Sequence, residues 1–139
     1  MIVLDTDVLS ALMRPAADLI VIKWLDAQPT LSVWTTSVTI FELRAGLSIM
    51  PEGRRRVSLQ GSFDRVVENL IDDRILAFDA PAAMEAARLA GIRRRMGRPN
   101  ELRDTMIAGI AIARRATLAT RNIRHFDDLP VPVVNPWSD

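Results

Sequence analysis

Ile2-Val3-Leu4-Asp5-Thr6-Asp7-Val8-Leu9-Ser10 holds a strand, a turn and the start of a helix. An apolar run that ends abruptly at a carboxylate predicts a strand buried on both faces. Asp5 then falls just past the strand's carboxyl end, which in an open α/β sheet faces the binding crevice. A buried strand has no use for an acid, so Asp5 belongs where water, a metal ion or a substrate reaches it. The plain alternative is that Asp5 only caps a helix. Thr6 or Asp7 is the expected cap, since Val8, Leu9, Leu12 and Met13 fall at helical spacing before Arg14-Pro15 ends the run.

Beyond this stretch, strand and helix patterns alternate. Leu19 to Leu25 is helical, and Leu31 to Thr36 is β-branched and alternating, a strand. Ser37 is the expected cap of a helix running through Val38, Ile40, Phe41, Leu43 and Leu47, with Glu42 in its second turn. Arg54 to Asp73 reads as one long amphipathic helix, with Gly61 the one place where it could be interrupted. Ile75 to Phe78 is a short strand, and Asp79 with Pro81 starts a helix over Ala82 to Met96. That helix is alanine-rich, which lets a neighbouring backbone approach closely. A buried helix follows the Gly97–Asn100 loop, with Asp104 in its first turn, where the helix dipole favours an anion. Thr117 to Thr120 is a strand ending at Arg121-Asn122, Ile123 to Leu129 a short helix or turn, and Val131 to Val134 a last strand. The expected fold is α/β: a single domain over residues 1–139, a mostly parallel central sheet with helices on both faces.

Composition narrows the function. The 139 residues suffice for one domain. The chain has no cysteine, which excludes thiol catalysis, disulfides and zinc-thiolate sites and fits a reducing cytoplasm. It shows neither a signal peptide nor a membrane span. The net charge is only +1, yet arginines cluster at Arg54-Arg55-Arg56 and Arg93-Arg94-Arg95, with Arg98 and Arg103 nearby. Such runs are expected as solvated helix faces, although the arginine fork also suits phosphate oxygens.

Asp5, Glu42, Asp104 and Asn122 all follow a strand or open a helix, and in a parallel sheet such positions gather at one edge. Carboxylates brought together unpaired repel and raise one another's pKa. A hard divalent cation, magnesium or manganese, relieves this; it polarises a phosphoryl oxygen and activates water. Phosphodiester hydrolysis is the chemistry such a site supports. A haloacid-dehalogenase-like phosphatase is the rival enzyme, because Asp5-Thr6-Asp7 also fits a nucleophile and acid pair. It needs a lysine near the phosphate, and the only lysine, Lys23, falls in the second helix. A catalytically decayed partner-binding module is the rival from another class.

Four blocks carry a resemblance: Leu4 to Ser10, Phe41-Glu42-Leu43-Arg44-Ala45-Gly46-Leu47, Arg103-Asp104-Thr105-Met106-Ile107-Ala108 and Ala119-Thr120-Arg121-Asn122. In order and spacing they resemble the signature blocks of PIN-domain ribonucleases, in the branch of VapC-like and FitB-like toxins of type II toxin–antitoxin systems. The resemblance implies a magnesium-dependent endoribonuclease in which Asp5, Glu42 and Asp104 are catalytic and bind metal. It also implies RNA as substrate, a homodimer, and hetero-oligomers with a cognate antitoxin. Two positions depart from the family. The slot of its fourth acid holds Asn122, which removes a charge from the metal site, and Asp7 stands where Asn is commoner, which can return one.

Other residues invite a role. Glu101 lies one helical turn before Asp104 and can share its face. His125, the only histidine, is a candidate general base. Thr120 is a plausible hydroxyl partner for a carboxylate. Trp24, Trp34 and Trp137 are expected in packing or at interfaces.

Overall fold

The computed structural model describes residues 1–16 and 18–138. Five parallel strands form the sheet: β1 (Ile2–Leu4), β2 (Val33–Thr36), β3 (Ile75–Leu76), β4 (Thr117–Ala119) and β5 (Val133–Val134), in the order β3-β2-β1-β4-β5. Six helices join them: α1 (Thr6–Met13), α2 (Leu19–Asp26), α3 (Ser37–Ile49), α4 (Arg54–Arg65), α5 (Ala80–Arg95) and α6 (Leu102–Arg114). The fold class is as expected.

Successive strand residues point to opposite faces, and both faces are covered. Val3, Trp34 and Leu118 pack with α5 and α6 through Ala82, Leu89, Ile107 and Ile110. Leu4, Val33 and Ala119 pack on the other face with Val8, Leu9, Val21 and Ile71. Burial on both sides explains the unbroken apolar runs. It also explains why the first polar residue after each strand marks the sheet's edge. Pairing at the strand ends is reinforced by side chains: Thr35 Oγ1 donates to the Leu4 carbonyl at 3.0 Å.

The alanines of α5 serve the expected close approach. A Cβ on Gly109 of α6 would stand 2.5 Å from the Ala82 carbonyl oxygen and 2.7 Å from Ala86 Cβ. Only glycine fits there.

Several local expectations change. Asp5 itself caps α1, its Oδ1 accepting from Thr6 N at 2.8 Å, so neither Thr6 nor Asp7 does. The cap of α3 is Thr36, not Ser37, because its hydroxyl reaches Thr39 N. Leu31 and Ser32 lie in a 3₁₀ turn, and β2 begins only at Val33. α4 runs through Gly61 without a break and continues as a wider π turn over Val66–Ile71. Phe78, Thr120 and Val131 fall outside their short strands. Asp79 caps α5 as the sequence predicts.

The arginine run on α5 is not uniformly solvated. Arg93 is 2% exposed, its guanidinium gripping both oxygens of Asp128 at 2.9 Å and the His125 carbonyl at 2.6 Å. The burial follows from the helical period, which turns only one of three successive residues inward. The tryptophans pack as expected: Trp34 against one core, Trp24 and Trp137 against the other. Trp137 also donates to Asp18 and carries the Arg121 guanidinium on its ring at 4.7 Å.

Candidate active site

At the carboxyl edge of the sheet, β1 runs directly into Asp5. Its backbone N–H still pairs with the Ala119 carbonyl, while its side chain has left the sheet. Asp5 Oδ1 is held by Thr6 N, and Oδ2 accepts from Thr120 Oγ1 at 2.8 Å. Both oxygens are thus fixed by neighbours on two strands' ends. The expected partnership of Thr120 with a carboxylate is present.

Asp5 is only 4% exposed. Burial pushes its carboxyl up to about 7, and the like charge of Asp7 adds to this against the bonds from Thr120 and Thr6. Asp7 is raised for the same first reason, burial, despite the bond its Oδ2 accepts from Arg121 N at 2.9 Å. Its Oδ1 is buried without a hydrogen-bond partner among the described residues.

Glu42 reaches the same edge from α3. Thr6 Oγ1 donates to its Oε1 at 3.0 Å, and Arg103 lies 3.8 Å from Oε2. Burial raises its pKa, with Thr6 and Arg103 opposing. Asp104 opens α6, and its charge acts on Asp5, Asp7 and Glu42 alike. Its Oδ2 lies 2.9 Å from His125 Nδ1. The four acids therefore feel one another across one small region, supplied by β1, α1, α3 and α6.

The remaining candidates separate. Glu101 caps α6, accepting from Asp104 N at 2.8 Å. Burial acts to raise its pKa, but that bond and the Arg103 side chain hold it below the usual range. Its carboxylate serves the helix end, yet it borders the same cavity as Asp104 and its charge acts on Glu42. Asn122 is exposed, and its backbone N–H donates to Thr120 Oγ1 at 3.1 Å, one bond removed from Asp5. Lys23 lines a groove beside Val133 to Ser138 that none of the acids borders, so nothing supplies a phosphatase lysine.

The sequence named Thr6 only as a helix cap and Arg93 only within a solvated run, and it did not single out Thr39. Thr6 links Asp5's helix to Glu42, and Thr39 Oγ1 meets Thr6 Oγ1 at 3.0 Å. The three-residue step from Thr39 to Glu42, one face of α3, was the available signal. Arg93 pins the segment carrying His125, and no local pattern announces it.

The chain matches the PIN domain model over residues 2–131. It belongs to the PIN-domain family. Its curated relatives include the plasmid stability protein StbB of Pseudomonas syringae pv. tomato, 36% identical over 99% of both chains. A VapC ribonuclease of Sinorhizobium fredii is 35% identical over 99% of this chain and 98% of its own. Among solved structures, FitAcB from Neisseria gonorrhoeae superposes with a TM-score of 0.89 at 32% identity, covering all of both chains. The PIN chain thus sits among the VapC and FitB toxins.

Do its acids suit a divalent ion? In kind they do. Hard carboxylate oxygens, three of them raised above their normal range by burial, and the orphaned Asp7 Oδ1 all gain from a cation. Yet among the described residues no three such side chains stand close enough to ligate one ion directly. The expected ligands Asp5, Glu42 and Asp104 share the edge without forming a closed shell. Arg103, 3.8 Å from Glu42 Oε2, and His125, 2.9 Å from Asp104 Oδ2, occupy part of that edge.

Proposed function

We propose that this PIN protein is a magnesium-dependent endoribonuclease, with manganese able to substitute, and the toxin of a toxin–antitoxin pair. The observation that carries the reading is the meeting of Asp5, Asp7, Glu42 and Asp104 at one edge of the sheet, where burial raises the pKa of the first three. Asp5, Glu42 and Asp104 would hold the ion, with the Asn122 amide oxygen at its fringe and water completing the shell, as magnesium prefers. Once bound, such an ion lowers the pKa of its water and polarises a phosphoryl oxygen.

The protein's own groups do the positioning. Thr120 and Thr6 N fix the two oxygens of Asp5, and the Thr6 hydroxyl fixes Glu42. Arg103 lies against Glu42 and offsets part of its charge. When Glu42 turns to a cation, Arg103 is free to meet the phosphate of an RNA strand.

Partners follow by likeness. The solved relatives are described as FitAB and VapBC complexes, among them toxin–antitoxin assemblies and forms bound to DNA. A cognate antitoxin and a homodimer are accordingly assigned here, in the cytoplasm where the RNA is. Exposed Phe41 and Leu102 flank an apolar groove that a second copy can cover. Sedimentation at micromolar concentration should give a dimer.

The test is cleavage of single-stranded RNA with magnesium and without. Excess chelator should abolish it, as should Asp104→Ala, which should also abolish growth arrest in a bacterial host. Cleavage in excess chelator sinks the metal mechanism. Magnesium binding with no cleavage of any RNA favours the decayed partner-binding module instead.

A further inference from the structure

Beside Asp104 the surface opens into a cavity of about 540 Å³, bordered by Arg98, Pro99, Asp104, Arg124, His125 and Asp127. The size is that of a small-ligand site. Its charges are largely spent on one another. Arg98 pairs with Asp127 and Asp128, Arg93 with Asp128, and the bordering Glu101 with Arg103, while Asp104 is hydrogen-bonded to His125. Of the bordering arginines, only Arg124 makes no ion pair among the described residues.

A pocket built for phosphate presents several unpaired cations. This wall presents one, next to an imidazole and a proline ring. Such a lining suits a flat, neutral, hydrogen-bonding group. Single-stranded RNA offers that group in its unstacked bases, which stack on histidine rings and arginine planes and are read along their edges. The floor is firm: Arg93, 2% exposed, ties the His125 carbonyl to α5, so the imidazole is not carried by a loose loop.

We propose that this cavity takes the base of the nucleotide adjoining the scissile phosphate, with Arg124 and His125 as its contacts. The proposal rests on the ribonuclease assignment above and adds to it a source of base preference. Cleavage then selects for a base beside the cut, and the selection is separable from the acids that carry the chemistry.

Fluorescence anisotropy in chelator tests it on the full chain. The probes are ribonucleotide octamers of A, C, G and U and an abasic octamer of equal charge. At least one base-bearing octamer should bind about tenfold more tightly than the abasic one, the scale of one stacked base. Arg124→Ala, a surface change checked by circular dichroism, should reduce that ratio to about threefold or less. Equal binding of all five octamers, or a ratio untouched by Arg124→Ala, overturns the proposal. Magnesium-dependent cutting of the same octamers separates the two claims. Base-dependent binding without cutting supports the subsite and removes the ribonuclease; cutting without base dependence does the reverse.

Discussion

Thr120 Oγ1 donates to Asp5 Oδ2 at 2.8 Å, across the ends of two adjacent parallel strands. The same hydroxyl accepts from Asn122 N, so one side chain sets both the acid and the turn that follows β4. Deleting it while keeping its shape isolates that role. Thr120→Val should lower RNA cleavage roughly 10–100-fold, the usual scale for a group that orients a ligand carboxylate. The lost bond lowered the Asp5 pKa, so the acid limb of the pH–rate profile should also move to higher pH. An unshifted profile with full activity would show that Asp5 is held by Thr6 alone.

Asp5 also gives the metal-free protein a pH signature. Its folded pKa of about 7 lies above the ordinary carboxyl value of 3.8 in the unfolded chain, so the folded chain binds this proton more tightly. The associated stability is present at low pH and is lost as pH rises through about 7. Comparing Asp5→Asn with the parent in chelator cancels the titrations of groups that do not feel the Asp5 charge. The variant should gain relative stability between pH 5 and pH 8, on the order of 2–4 kcal/mol. Thermal midpoints that differ by the same amount at both pH values would rule this out.

Arg93 and Asp128 form the ion pair behind the site, bidentate and buried on the arginine side. Arg93→Met leaves Asp128 half-paired and the His125 carbonyl unsatisfied. The expected cost is about 3 kcal/mol in urea unfolding, with the slope unchanged. Arg93→Lys should recover less than half, since one ammonium cannot reproduce the fork. A loss below about 1 kcal/mol would mark the pair as energetically neutral.

These cases show what the chain discloses locally. The strand-then-acid pattern at Leu4-Asp5 and the first-turn position of Asp104 are properties of neighbouring residues, and both placed their acids at the right edge. The caps shifted by one because a carboxylate immediately after a strand can serve helix and site together, as Asp5 does. Arg93 was illegible because its burial depends on Asp128, 35 residues away, and on which face of α5 meets it. The contact of His125 with Asp104 spans 21 residues and depends on the same anchoring.

The last prediction concerns the fourth acid. The family slot holds Asn122, whose side chain is exposed and brings no charge. Asp7 offers a charge and a buried Oδ1 with no partner, and its carboxyl is already raised by burial. A cation, or a water bound to one, satisfies that oxygen and relieves the raised pKa together. Asp7→Asn should therefore weaken magnesium binding about tenfold, one charge-assisted contact of about 1.4 kcal/mol. Asn122→Asp should strengthen it by about the same factor in the absence of RNA, by returning a carboxylate to the site's mouth. Calorimetric titration of the three proteins decides between the positions. No change in Asp7→Asn means that its Oδ1 is met by water alone. No change in Asn122→Asp means that position 122 does not face the ion, and Asp7 then carries the missing charge by itself.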